Sequence, residues 1–157
     1  MKKSRISIFS TIILALTLVA SASPAFAETK GWGAGLNILD GEFGLQVRKD
    51  FWLGGDISQI TGQGSVIFAG RTFFALDVDY HFIIKSTNAD GTSSKSRFYP
   101  LVGLDFMFNS DGSEFGLNLG GGANFMMTDT LAAFAELKFV ISDWFGDGLG
   151  IGVGVYF

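Results

Sequence analysis

The single histidine of this chain, His81, follows Asp79 by two residues in the run Asp77-Val78-Asp79-Tyr80-His81. An imidazole beside a carboxylate can serve as a general base if a nucleophile lies within hydrogen-bond reach. No serine is clearly opposed to it, so the competing reading is a structural histidine inside the fold. Five acids, Asp56, Asp77, Asp79, Asp105 and Glu136, fall on the same polar face of their segments. They could gather a cation, or they could be neutralised by Arg48, Arg71 and Lys138 in an internal ion-pair network. The network takes precedence, because buried charges are costly when unpaired. If the segments flanking residues 85–97 pair about that stretch, Asp77 comes opposite Asp105. The chain has no cysteine, which removes thiolate nucleophiles, thiolate metal sites and disulfides. The runs Gly31-Trp32-Gly33-Ala34-Gly35 and Gly120-Gly121-Gly122 precede no helix and contain no Gly-Lys-Ser/Thr, so they are not phosphate loops. No catalytic residue, cofactor site or metal site is expected.

The elements that carry these residues alternate between large apolar and small or polar side chains, with turn residues between them. That periodicity predicts eight strands, at 32–39, 42–48, 51–60, 71–84, 98–108, 114–127, 131–141 and 149–157. Asp40-Gly41, Lys49-Asp50, Asn109-Ser110-Asp111-Gly112, Thr128-Asp129-Thr130, Ser142-Asp143 and Gly146-Asp147-Gly148 read as turns. Thr61-Gly62-Gln63-Gly64-Ser65 reads as a longer connection, and residues 85–97 as a polar loop.

Alternation sorts the side chains onto two faces. One is greasy, with Leu45, Val47, Leu53, Ile57, Leu76, Val78, Leu104, Phe106, Leu117, Leu119, Leu137, Phe139, Ile151 and Val153. The other carries Gly33, Gly35, Asn37, Gln46, Arg48, Asp56, Ser58, Asp77, Asp79, His81, Gly103, Asp105, Gly116, Asn118, Gly120, Glu136, Lys138, Gly150, Gly152, Gly154 and Tyr156. Hydrophobic residues make up 48% of the chain, yet beyond the N-terminal segment no run of 18 apolar residues occurs. In lipid every backbone N–H and C=O must be paired internally, and without hydrophobic helices the remaining solution is a closed β-barrel. A water-soluble barrel would turn its greasy face inward and cover itself with Lys, Glu and Thr. Here the second face is rich in glycine, which suits a crowded lumen, where it lets the wall curve around Trp52, Phe73, Phe134 and Tyr156. The expectation is an all-β, antiparallel transmembrane barrel of about eight strands with up-and-down topology.

Residues 1–27 read as a secretory signal peptide: Lys2, Lys3 and Arg5, an apolar run from Ile6, then the small residues Ala25 and Ala27 at the cut. Its apolar run is shorter than the roughly 20 residues of a spanning helix. Residues 28–157 then form the barrel domain. Loss of the three leading cations takes the formal charge from −4 to −7, against any grip on nucleic acid. With both termini on the periplasmic side, Trp32, Phe51, Phe82, Phe98, Phe125 and Phe157 gather at one end of the greasy face and Phe43, Phe74, Phe108, Phe115 and Phe139 at the other, as interfacial girdles would.

Three stretches carry a family resemblance: Phe98-Tyr99-Pro100-Leu101-Val102-Gly103-Leu104-Asp105, the run from Phe115 to Phe125, and Phe134-Ala135-Glu136-Leu137-Lys138-Phe139. The mature chain resembles the small OmpA/OmpX-like barrels of the bacterial outer-membrane β-barrel domain family. Its last residues, with Val153, Val155, Tyr156 and the terminal Phe157, look like the signal that such proteins present to the barrel assembly machinery. The resemblance implies the cell outer membrane, lipid, assembly machinery and periplasmic chaperones as partners, and a monomer. It is specific for fold and location, and none of the matched residues is a catalytic motif; no cofactor and no enzyme activity are expected, and the expected role is structural or surface interaction, with a lipid-modifying enzyme or a narrow solute conduit as alternatives. One departure is the long 85–97 stretch, which falls where such barrels usually have a short periplasmic turn.

Overall fold

The computed structural model describes residues 31–52, 57–87, 91, 93–142 and 147–157. The proposed cleavage residues Ala25 and Ala27, the lumenal candidate Asp56 and the side chain of Trp52 lie outside the described residues.

Period-two alternation becomes nine hydrogen-bonded segments: β1 (Trp32–Leu39), β2 (Glu42–Trp52), β3 (Ser58–Phe68), β4 (Thr72–Phe82), β5 (Ile84–Thr87), β6 (Ser93–Asn109), β7 (Gly112–Met126), β8 (Ala132–Ser142) and β9 (Gly148–Tyr156). Each neighbouring pair is antiparallel, and β1 pairs with β9, so the sheet closes on itself. Segments β4 and β5 form one wall strand, because both pair with β6 in a single register running from Phe74↔Phe108 through His81↔Leu101 to Ile84↔Phe98. The result is a closed antiparallel barrel of eight strands. The interruption has a local cause. Continuing the register sets Phe82 opposite Pro100, which has no N–H to donate to the ladder. On its other side the strand stays paired: the Ile83 N–H donates to the Ile57 carbonyl at 2.8 Å, the next step of the β3–β4 register.

Turn chemistry fixes the end away from the termini. Asp40 and Gly41 have φ of 50° and 85°, the two positive values that a two-residue hairpin turn demands, and they join Leu39 to its partner Glu42. Asn109 Oδ1 accepts from the N–H groups of Asp111 (2.8 Å) and Gly112 (3.2 Å) and so closes the β6–β7 turn.

The third strand departs from expectation. It spans Ser58–Phe68, not 51–60, and the stretch read as a connection, Thr61 to Ser65, is its centre. Lys49-Asp50 is no turn either: β2 runs through it to Trp52. The pattern hid because β3 is polar inside, with Gln59, Thr61, Gln63 and Ser65 buried, and bears Gly62 and Gly64 outside. Those glycines are covered by neighbours; a Cβ on Gly64 would lie 3.7 Å from Leu76 and 3.9 Å from Val47. In this register Ser58 points outward, paired with Phe82, and is not a lumen residue. Four wall strands separated by three connections place the β5–β6 hairpin at the same end as the chain termini. The described parts of the 85–97 stretch, up to Thr87 and from Ser93, thus pair as an extension of the wall on that side, and the strand count holds.

The partition of faces is the inverse of a water-soluble protein. Val47, Leu76, Val78, Leu104, Leu117, Leu137, Ile151 and Val153 stand on the exposed outside, while Arg48, Asp79, His81, Asp105 and Glu136 are buried inside. Trp32, Phe51, Phe82, Phe98 and Phe125 are exposed around the terminal end, and Phe68, Phe74, Phe115 and Phe139 around the other. Lys49, on the outward face, holds its ammonium 5.3 Å over the Trp32 ring.

Candidate functional site: the charged lumen

Inward positions of six strands converge on one interior. From β8, Glu136 Oε2 accepts from Arg48 Nη2 of β2 at 3.0 Å and from the Tyr99 hydroxyl of β6 at 3.0 Å. Two residues along β8, Lys138 Nζ lies 3.0 Å from Asp77 Oδ2, 3.2 Å from Asp79 Oδ2 and 3.8 Å from Glu136 Oε1. Period two makes this possible: Asp77 and Asp79 share the inner face of β4, as Glu136 and Lys138 share that of β8. Asn118 of β7 reaches across to give its amide to Asp77 Oδ1 (3.1 Å) and Asp79 Oδ1 (3.0 Å), and Gln63 of β3 donates to Asp77 Oδ2 at 2.8 Å. Asp77 stands opposite Asp105 in the register.

Glycine makes the crowding possible. A Cβ on Gly122 would come within 2.6 Å of the Tyr99 ring, and one on Gly154 within 2.7 Å of Phe134. Phe134 and Tyr156 in turn flank the Arg48 guanidinium, whose carbon lies 4.6 and 5.5 Å from their ring centres.

His81 belongs to this packing. Fully buried, its ring stacks on Tyr99 with centroids 4.3 Å apart and planes 7° from parallel. Nδ1 meets Gln59 Nε2 at 3.1 Å and Thr61 Oγ1 at 3.4 Å, and Nε2 lies 4.0 Å from Glu136. No serine stands among these contacts.

Of the residues expected in the network, the structure brings together Arg48, Asp77, Asp79, His81, Glu136 and Lys138, and buries Asp105 beside Asp77. Arg71 is a correction. It precedes β4 at the rim, largely exposed, and pairs with Asp111 in the β6–β7 turn, because inward parity one residue before the strand begins opens above the mouth instead of into the lumen. Sequence reasoning missed Asp50, Gln59, Thr61, Gln63 and Tyr99. Asp50 is buried and accepts from the Thr61 hydroxyl at 2.8 Å and the Tyr156 hydroxyl at 3.2 Å. Its signal was present: it sits two residues beyond Arg48, on the same parity.

Apolar layers close both ends of the polar region. Ile67, Phe73, Ala75, Met107 and Val140 pack together at the end away from the termini; Ile83, Tyr99 and Leu101, with Ala132, Phe134 and Tyr156, fill the other. Each mouth keeps a depression, of about 100 Å³ over Phe73, Met107 and Val140 and about 70 Å³ over Ala132 and Tyr156.

Set beside solved structures, this architecture matches the N-terminal β-barrel domain of Pseudomonas aeruginosa OprF with a TM-score of 0.55 and 17% identity, over 82% of this chain and 99% of that one. The fold is that of a small outer-membrane barrel. The Yersinia pestis attachment invasion locus protein Ail also aligns, in a crystal structure at TM-score 0.48 and 14% identity (82% of this chain, 96% of that one). A second Ail structure, in phospholipid bilayer nanodiscs, aligns at 0.46 and 14% (81% and 99%). No protein-family model matches the sequence, and no curated protein matches it.

Proposed function

We propose that this chain is an exported protein of the cell outer membrane, a barrel whose role is structural or one of surface interaction. The observation that carries the reading is the inverted partition: Leu76, Val78 and Leu104 half exposed on the outside, with Asp77, Asp79 and Asp105 buried on alternate positions of the same two strands. In water that outer belt would be a large aggregating patch; against acyl chains it is the favourable surface. The aromatic residues at both ends and the Lys49–Trp32 contact suit the two headgroup zones.

With the termini in the periplasm, the short turns at 40–41, 69–71 and 110–111 face outward and the β5–β6 hairpin faces the periplasm. Three turns so short suit contact with a flat neighbour better than a long-looped adhesin. The filled lumen supports a structural barrel over a solute conduit. The burial of His81, stacked on Tyr99 away from the lipid side, supports it over a lipid-modifying enzyme. In the same reading residues 1–27 are the export signal, the assembly machinery recognises the strand ending at Phe157 with periplasmic chaperones escorting the chain, and lipid surrounds a monomer.

Spin labels at Leu76, Phe106 and Val153 test it. Contact with lipid-soluble oxygen and not with a water-soluble relaxer is expected at all three, together with different gel mobility of boiled and unboiled protein. Water contact at all three would refute the reading.

A further inference from the structure

The two mouths of the barrel differ in charge. Among the described residues at the end away from the termini, the acids Asp40, Glu42, Asp111, Glu114 and Asp147 stand against one cation, Arg71, which pairs with Asp111. At the other end the signs are mixed: Arg97, Asp50 and Asp129 line the same depression, and Lys49 stands on the rim. Beneath the acidic mouth lies the apolar cavity of about 100 Å³, floored by Phe73, Met107 and Val140 and walled by Leu39, with Asp40 and Glu42 at its edge. Glu42 opens β2 on the parity that continues inward through Gln46 and Arg48. Asp40 is held from both sides of the β1–β9 seam. Its Oδ1 accepts from the Leu149 N–H at 2.8 Å, and its own N–H donates to the Leu149 carbonyl at 3.0 Å. Gly148 leaves space for the carboxylate, since a Cβ there would lie 2.7 Å from Asp40 Oδ2. The positive φ of this turn residue would suit Asn or Gly equally, so the charge is something the turn itself does not require.

An apolar hollow with an acidic edge selects its occupant by both properties. An anion is repelled by the rim. A purely apolar side chain fills the floor and leaves the carboxylates unanswered, and a small hydrated ion gains nothing from Phe73, Met107 and Val140. A side chain with an unbranched apolar stem and a cationic tip satisfies both parts, the stem on the hydrocarbon floor and the charge at the wet edge.

We propose that the mouth away from the termini docks a lysine side chain from a basic segment of another protein. The stem enters the cavity over Phe73, Met107 and Val140, the ammonium stays at the rim beside Asp40 and Glu42, and the surplus negative charge of the mouth steers the segment in. This deepens the surface-interaction reading above and rests on it for the side of the membrane that the mouth faces.

The test uses the full barrel in phospholipid nanodiscs with carbon-13 in its methionine methyl groups. Met107 lies in the cavity floor, while Met126 lines the opposite mouth and serves as the internal reference. The probe is an acetylated, amidated peptide of alternating lysine and alanine. It is expected to move the Met107 methyl resonance saturably, less so with added salt, and to leave Met126 in place. The same peptide with diaminobutyrate for lysine keeps the ammonium and halves the stem, and should leave Met107 unmoved; norleucine keeps the stem without the charge and should bind at least about fivefold more weakly. Glu42→Lys, at the exposed first position of β2, should weaken the lysine peptide about fivefold or more. A Met107 resonance that the lysine peptide does not move, equal shifts with the lysine and diaminobutyrate peptides, equal binding of the norleucine peptide, or unchanged affinity in Glu42→Lys would each overturn the proposal. A Met107 shift that grows with barrel concentration in the absence of peptide would make a second copy the occupant and overturn it too. Gel mobility of the same sample establishes that the barrel is closed, so a null result at Met107 counts against the docking site alone, whereas the outer-membrane reading falls only if the spin labels on the belt meet water.

Discussion

Replacing Lys138 by methionine asks how much the lumen depends on one ammonium. Methionine keeps the length and apolar stem of lysine, so the inner face of β8 loses little packing. What it loses is the cation 3.0 Å from Asp77, 3.2 Å from Asp79 and 3.8 Å from Glu136, on a side chain only 8% exposed. Asp77 keeps Gln63 and Asn118 as donors, and Asp79 keeps Asn118, but neutral amides do not cancel two buried charges. Removing one partner of a buried ion pair costs about 3–5 kcal/mol. That is roughly a hundred- to several-thousand-fold in the folded-to-unfolded ratio at about 1.4 kcal/mol per factor of ten. Urea unfolding in detergent, followed by tryptophan fluorescence and gel mobility, measures it. Arg71→Ala is the internal control: its pair with Asp111 has side chains 71% and 45% exposed, so its loss should cost about 0–1 kcal/mol. Adding Asp79→Asn to Lys138→Met should recover more than 1 kcal/mol, because it removes one of the stranded charges, as coupled neighbours do in a double-mutant cycle. A Lys138→Met barrel no less stable than Arg71→Ala would refute the view that ion pairing holds the lumen.

Two further substitutions probe the wall from its two sides. Gly103→Ala places a Cβ within 2.7 Å of Asp79 Cα and closer still to its carboxylate, so a loss of about 1–3 kcal/mol is expected in the same urea titration, against near-neutrality for Gly70→Ala, where nothing lies within 4 Å. Leu104→Arg, half exposed on the outer belt and paired with Val78, should cost about 2–4 kcal/mol when the barrel is folded into phospholipid vesicles if this position lies near mid-bilayer, and far less in a short-chain detergent that lets the guanidinium reach water.

How far the fold was legible follows from where alternation carries contrast. In β4 the inward residues from Ala75 to His81 are small or polar and the outward ones from Phe74 to Phe82 bulky, so Thr72–Phe82 falls inside the expected 71–84. In β3 the contrast fails, since outward Gly62 and Gly64 are no bulkier or more apolar than inward Thr61, Gln63 and Ser65, and only the strands on either side reveal that Val47 and Leu76 cover Gly64. That information is tertiary. The same holds for Pro100: it marks where the β4–β6 ladder breaks, but only once Phe82 is known to stand opposite it.

The interior divides along the same line. Parity alone placed Arg48, Asp77, Asp79, Glu136 and Lys138 on one face, and closure of the barrel is what turns a shared face into 3 Å contacts between strands as distant in sequence as β2 and β8. Parity could not rank the acids. Asp77 is surrounded by donors from β3, β7 and β8, whereas Asp105, its direct partner, is not, and the difference arises from the stagger of neighbouring strands: Asp105 faces Gly116 on β7, while Asn118, one pleat further on, faces Gly103 and so reaches over a bare position to β4. An Ala at position 103 would therefore do more than crowd Asp79. It would stand in the path by which β7 supplies a donor to β4, and the lumen network and the glycine pattern are in that sense one device.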